Sequence, residues 1–457
     1  MITRILLALI IPLSSLRSQQ VNVPEVHREV LGNGLTLILM PYHKVPVINL
    51  RLMVRGGSAH DPKGLPGISS MMATLMREGT QKRSSTEISD AIDFTGGSLS
   101  AGSGLDYCAV NMEVMSKDIG VGLDLFADVS LNPSFPSEEL ERERKQRIAG
   151  LEALLEEPSA VASTVFSREV YGSHPYGQRS AGTATSLNQI SRDNVVDFYN
   201  SIFIPDRSVL VAVGDFENEK MAELLRKAFG SWKAKKGREL GLPAPSHLSG
   251  RKIVVVDKPD ATQTQIRIGN IGVDIKNPDS FPLLVANTVF GSGFTSRLVD
   301  ELRVKRSLTY GANSGFPSSL AGGTYLISTF TKNETLIEML DAIIEQLALY
   351  RKDGPTAEEI DKAKNYIAGS YARGLQSPGT IASRITDVEL YQFPENYLET
   401  YIERIRSVKE SEVRRVINER FFLDDLLFVI VTPASGGTEG LKKYGDVRVV
   451  SLDEVGK

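Results

Sequence analysis

With 457 residues, 41% of them apolar and 24% charged, the chain is long enough for two sizeable cores and has an ordinary globular composition, which excludes disordered and collagenous classes. A formal net charge of −4, with the basic residues scattered, offers no cationic field for a polyanion, so no nucleic-acid partner is expected.

In chain order, Arg4 precedes an apolar run from Ile5 to Ile11, followed by Pro12, Leu13, Ser14 and Ser15. Residues 1–20 therefore read as a secretory signal peptide, because the run is well short of the ~20 residues that a spanning helix needs. Export is expected, to the periplasm if the source is a Gram-negative bacterium, with no stable membrane span after cleavage. Cys108 is the only cysteine, so no disulfide forms within the chain, and its place in a strand pattern predicts a buried structural thiol.

Residues 28–40 alternate around Asn33-Gly34, which predicts a β-hairpin, and a third strand follows at 47–54. Pro66 starts a helix whose apolar residues Ile68, Met71, Met72, Leu75 and Met76 fall at helical spacing. Ser84 to Glu87 forms a capping box for a second helix through Phe94. Strands at 98–101 and 107–113, helices over 117–171 and 193–199, a strand at 208–213 and a helix at 219–229 complete the first half.

Residues 230–250 are polar and broken by Pro and Gly, which predicts a linker between a first domain at 21–229 and a second at 251–457. The second half repeats the order: strands at 252–256 and 265–271, helices at 281–289 and 295–304, strands at 309–315 and 325–329, helices over 334–373 and a strand at 427–431. The fold class is α+β, two homologous α/β sandwiches arising by duplication, each a mainly antiparallel sheet with helices packed on it.

Common catalytic chemistries are missing. The five histidines, His27, His43, His60, His174 and His247, include no i, i+4 pair that would put two imidazoles on one helix face. His60-Asp61 before Pro62 reads as turn chemistry. There is no G-x-S-x-G, and Gly291-Ser292-Gly293 lacks the spacing and the Lys-Ser/Thr of a phosphate loop.

The segment Gly67-Ile68-Ser69-Ser70-Met71-Met72-Ala73-Thr74-Leu75, continuing to Glu78-Gly79-Thr80, resembles the one that carries the inverted zinc motif H-x-x-E-H in the insulinase/pitrilysin peptidases. Asn33-Gly34-Leu35, His174-Pro175-Tyr176-Gly177, the run from Phe198 to Phe216, and Phe290-Gly291-Ser292-Gly293-Phe294-Thr295-Ser296-Arg297-Leu298 extend the resemblance over most of the chain past the leader.

In that family two histidines bind zinc and the Glu between them activates its water; here those places hold Ser70, Thr74 and Ala73. The remaining zinc ligand is a Glu on a later helix. Aligning residues 138–157 with that helix keeps Glu143 but puts Gly150 at the ligand place. Hydroxyls are poor zinc ligands beside imidazole, so no metal and no cofactor is expected in this chain. Positions 70, 73 and 74 are expected on the face of the helix turned away from Ile68, Met71, Met72 and Leu75.

The family also uses an Arg and a Tyr seven residues apart to grip the substrate backbone and stabilise the charge that builds on the scissile carbonyl oxygen, and Arg303 and Tyr310 match them. The resemblance thus implies the non-catalytic subunit of a two-chain zinc metalloendopeptidase. Its expected partner is a homologous, zinc-binding peptidase subunit, its substrates are peptides, and Arg303 and Tyr310 act in trans. A non-enzymatic scaffold or peptide-binding module of the same fold is the alternative; hydrolysis by the isolated chain is not expected.

Overall fold

The computed structural model describes residues 26–237, 240–436 and 438–456; the signal peptide expected at 1–20 lies outside them. Two six-stranded sheets organise the chain. The first is built from β1 (His27–Val30), β2 (Thr36–Pro41), β3 (Val47–Arg55), β4 (Ser98–Ser103), β5 (Tyr107–Met115) and β6 (Ser208–Gly214), in the order β1-β2-β6-β3-β5-β4. The second uses β7 (Lys252–Asp257), β8 (Gln263–Ile271), β9 (Ala312–Gly315), β10 (Thr324–Lys332), β11 (Leu427–Thr432) and β12 (Asp446–Ser451), in the order β12-β7-β11-β8-β10-β9.

Five strands correspond one to one: β2-β6-β3-β5-β4 repeats as β7-β11-β8-β10-β9, with one parallel pair in each set, β2 with β6 and β7 with β11. The sixth strand differs. The opening hairpin supplies β1, antiparallel to β2, whereas the chain's end supplies β12, parallel to β7. The α+β class and the two-sandwich architecture therefore hold, with the repeat visible strand by strand.

Local sequence accounts for much of this. Gly34 sits at φ +95 and the Asn33 side-chain oxygen accepts from the Leu35 N–H, closing the turn between β1 and β2. Ser84 and Glu87 make the reciprocal capping box that starts the helix Ser85–Phe94. β6 and β11 are buried at every residue, as expected for apolar runs with both faces covered.

What covers those faces is exchanged between the halves. Leu210 and Ala212 of β6 face the first half's own core, while Val209, Val211 and Val213 face Ile381, Ala382 and Ile385 of the helix Pro378–Leu390, which belongs to the second half of the sequence. Reciprocally, Phe428 and Ile430 of β11 face the second core, while Val429 and Val431 face Val161, Val165 and Phe166 of the helix Pro158–Tyr171 from the first half. Each sheet is thus roofed by a helix from the other.

Polar contacts stitch the exchange. Arg267 of β8 donates to the Ser159 hydroxyl at 2.7 Å, and Arg55 of β3 donates to the Glu389 carbonyl at 2.9 Å. Between residue 229 and β7 there is no helix or strand among the described residues. No helix among them is long and apolar enough to cross a membrane.

Several elements depart from the sequence expectation. The helix expected at 295–304 is a short turn, Arg297–Val299, running into a π-helical segment, Asp300–Lys305, because the Arg306 N–H bonds the Glu301 carbonyl five residues back. The run at 334–373 is two helices, Leu336–Asp353 and Ala357–Gly374, split where Gly354 takes φ +68 ahead of Pro355. Helices Pro378–Leu390, Tyr397–Ser407 and Glu410–Arg420 and strand β12 were not foreseen.

Because the roofs are shared, the halves are expected to unfold together. Phe166→Ala should cost about 3–5 kcal/mol. It should also lower the urea midpoint read from Trp232, the only tryptophan, which packs against the first core, as much as that read from far-UV circular dichroism. An unchanged tryptophan midpoint would show that the halves are independent.

Candidate functional site

Two places carry the residues singled out by sequence. The first is helix α1 (Ile68–Leu75) in the first half. Gly67 precedes it at φ +96, and a Cβ there would lie 2.8 Å from the Gly182 backbone, so glycine is needed for the chain to enter the helix at this angle. Gly67 has no side chain to cap the helix. Asp61 does so from six residues upstream, accepting from the N–H groups of Gly67 at 2.7 Å and Ser69 at 3.2 Å. His60-Asp61 is therefore turn chemistry, as its sequence suggests, with a capping role added.

Ile68, Met71, Met72 and Leu75 pack into the first core. Ser70 and Thr74 are only half-buried, but Ala73 is 1% exposed and belongs to the core, so this helix does not turn positions 70, 73 and 74 together onto an empty face. Call the helices that follow α2 (Ser85–Phe94), α3 (Ile119–Leu131) and α4 (Ser137–Leu155). It is α4 that lies across this side of α1.

Three arginines anchor α4, two of them on the α1 segment and one on the chain around residues 187–190. Arg142 pairs with Glu78 at 2.7 Å, and Arg144 donates to the carbonyls of Leu187 and Ile190. Arg147 enters the degenerate site itself. Its guanidinium donates to the Ser70 hydroxyl at 2.9 Å, the Ser70 carbonyl at 3.1 Å and the Thr74 hydroxyl at 2.7 Å, while its Nε pairs with Glu143 at 2.7 Å.

Glu143, Arg147 and Gly150 fall at i, i+4 and i+7, on one face of α4. Gly150 is exposed, with open space where a side chain would stand. These residues do not fit a zinc ion, since the positions of the two imidazoles hold hydroxyls already engaged by a cation, and the ligand carboxylate is replaced by a hydrogen. Among the described residues no three of His, Cys, Asp and Glu converge as a metal would require. The family motif marks Glu143 but carries no sign of Arg147, although helical spacing of four residues places the two side by side.

The second place lies in the other half. Arg303 stands on the π-helical segment Asp300–Lys305 and Tyr310 follows the Ser307 turn, where φ is +54. Both are exposed, Tyr310 by 82%. A π-helical turn and a non-glycine residue at positive φ are uncommon features that concentrate at functional loops. The Arg303 guanidinium lies 5.4 Å from the centre of the Phe294 ring, and Phe294 is itself 81% exposed. The two places keep separate contacts: Arg147 engages Ser70, Thr74 and Glu143, whereas the exposed Arg303 stands beside Phe294.

The remaining motifs serve the framework. His174 donates through one ring nitrogen to the Pro243 carbonyl and accepts from the Tyr176 N–H through the other. The buried Tyr176 hydroxyl donates to Asp106 and accepts from the Ala321 N–H, and Asp106 also accepts from the Leu320 N–H, so His-Pro-Tyr-Gly latches the two halves together. Cys108 is buried, and burial pushes its thiol up to about 12. A groove of about 1080 Å³ lined by Lys82, Leu123, Tyr199 and Trp232 holds none of the residues singled out above.

With this geometry in place, comparison decides the family. The family model described as insulinase (peptidase family M16) matches residues 37–184, and that described as the peptidase M16 inactive domain matches residues 189–367. The chain belongs to the insulinase peptidase family. It is 24% identical over 409 residues to an uncharacterized zinc protease, YmxG, of Bacillus subtilis, an alignment covering 90% of this chain and 98% of that protein.

The crystal structure of a peptidase M16 inactive domain from Pseudomonas fluorescens superposes with a TM-score of 0.85 at 26% identity, over 90% of this chain and 98% of the other. A protease structure from Helicobacter pylori shares the fold, with a TM-score of 0.83 at 23% identity over 90% and 100% of the two chains. Within this M16 family the present chain is a member without H-x-x-E-H.

The capping of α1 gives a pH signature. Burial pushes the Asp61 carboxyl up to about 6, outweighing the hydrogen bonds that favour its ionised form. A proton held more tightly in the folded than in the unfolded chain makes this contribution to stability largest below the ordinary carboxyl range. The contribution is then lost as pH rises through about 6. Asp61→Asn, measured by urea unfolding, should therefore gain about 2–3 kcal/mol relative to wild type between about pH 4 and pH 7. A constant difference across that window would refute the assignment.

Proposed function

We propose that this chain is the non-catalytic subunit of a two-chain zinc metalloendopeptidase. It pairs with a homologue that carries the zinc-binding helix, encloses a chamber with it, and presents Arg303 and Tyr310 to a peptide held at the partner's site. The observation that carries this reading is the contrast between the two places: α1 is closed by Arg147, while Arg303 and Tyr310 stand exposed on an irregular turn. Arg offers a permanent, forked cation and Tyr a neutral donor, a suitable pair for the backbone of a bound peptide and for negative charge on a scissile carbonyl oxygen.

The metal of the complex resides in the partner. A second reading, a non-enzymatic scaffold or peptide-binding module, draws support from the Arg147 contacts, which make the former reactive helix a structural joint. The exposed Arg303 and Tyr310 favour the first reading, because a scaffold has no need of them.

The test is to co-express the chain with an H-x-x-E-H homologue from the same genome and follow cleavage of an internally quenched peptide. Arg303→Ala should lower the turnover of the complex by about 10²–10³, with zinc content and assembly unchanged. A complex that assembles but cleaves nothing selects the scaffold. An Arg303→Ala complex that works at the wild-type rate removes the proposed role of this residue.

A further inference from the structure

We propose that Arg147 is a built-in cation that takes the charge-balancing place of a metal between α1 and α4 and shuts that place to metal ions. Glu143 is largely withdrawn from water, and a carboxylate so placed needs a positive partner. Arg147 supplies it from one turn further along the same helix, and the remaining guanidinium donors reach both hydroxyls of α1 and one of its carbonyls. The oxygens at positions 70 and 74 are therefore occupied, as acceptors, by a tethered charge that no chelator removes.

Restoring metal ligands alone then fails, because the incoming imidazoles meet a guanidinium and a dication would be placed against a fixed positive charge. The experiment measures zinc content after dialysis against zinc in two full-length variants. One carries Ser70→His, Thr74→His and Gly150→Glu; the other adds Arg147→Ala. Equimolar zinc only in the second is the expected result. Zinc in the first, or in neither, overturns the proposal.

Should the reconstructed variants not fold, single changes in the native chain decide. Arg147→Ala should lower the urea midpoint, and by less in a Ser70→Ala, Thr74→Ala background. A midpoint that does not move, or that moves equally in both backgrounds, overturns it.

A separate observation concerns the second half. Phe294 is almost wholly exposed, an unfavourable place for a benzyl side chain, and the Arg303 guanidinium stands over its ring. The loop that delivers it is constrained: a Cβ on Gly291 would strike the Ser314 side chain at 2.1 Å, and Gly293 takes φ +122. The geometry points to Phe294 as a positioning residue that holds the Arg303 guanidinium over its ring, an inference that rests on the role proposed for Arg303. Cation–π contact at an exposed site contributes 0.5–1 kcal/mol, so Phe294→Ala should lower kcat of the complex about two- to fivefold.

The decisive readout is coupling. In an Arg303→Ala background the Phe294→Ala change should have no further effect, and Phe294→Trp should keep the native rate where Phe294→Leu does not. An equal effect in both backgrounds, or a fully active Phe294→Leu, refutes the positioning role while leaving that of Arg303 intact. An inert Arg303→Ala instead refutes the parent reading.

Discussion

The exchange of roofing helices is the constraint on which the rest of this molecule depends. β6 and β11 are central strands with apolar residues on both faces, and an open face on either would leave a large hydrophobic surface in water. Neither half covers both of its own faces. Helices Pro158–Tyr171 and Pro378–Leu390 each cross to the other sheet, so two cores that duplicate one another in strand order are joined in one cooperative body. At ~1.5–3 kcal/mol for each large apolar side chain removed from water, the residues committed to these crossings outweigh the polar contacts around them. The Tyr176–Asp106 latch then fixes register more than it supplies binding energy.

That rigidity positions the first candidate place. The crossing helix Pro158–Tyr171 follows directly on α4, so the docking of one end of this helical pair on the second sheet restrains the other end against α1. Arg142, Arg144 and Arg147 use the restraint, each reaching a different neighbour. A long cationic side chain loses much rotamer freedom when held so, and the multiple hydrogen bonds offset that loss only because the helices are already fixed.

The sequence made the strands legible where alternation or a continuous apolar run coincided with a turn signal, as at Asn33-Gly34. It made the helix starts legible where a capping box stood, as at Ser84. β12 escaped because it is an edge strand whose exposed residues break the pattern, and the helix Pro378–Leu390 gave no sign that its apolar face serves the other half. Local propensity carries no address for a tertiary partner.

At the candidate site, motif comparison identified which positions had changed but not what had replaced them. The outward face assigned to Ala73 failed because a methyl group beside a covering helix is simply buried. The π-helical segment under Arg303 was invisible for a related reason: a shift of hydrogen bonding by one residue leaves no mark on composition.

Duplication gives the two halves one strand order and opposite surface fates. In the first half Arg142 pairs with Glu78 and Arg147 with Glu143 beside the altered helix, leaving a joint closed by the chain's own charges. In the second half Phe294, Val304 and Tyr310 remain among the most exposed large apolar residues described, with Arg303 between them in the chain. A chain under no demand beyond stability would bury or replace such residues, since exposed aromatic surface brings solubility costs without packing. The closed first site and the exposed second one are therefore most simply understood together. In the first half a guanidinium fills the altered helix's face, and in the second a guanidinium and a phenol stand in water, which is the asymmetry from which the proposed division of labour is argued.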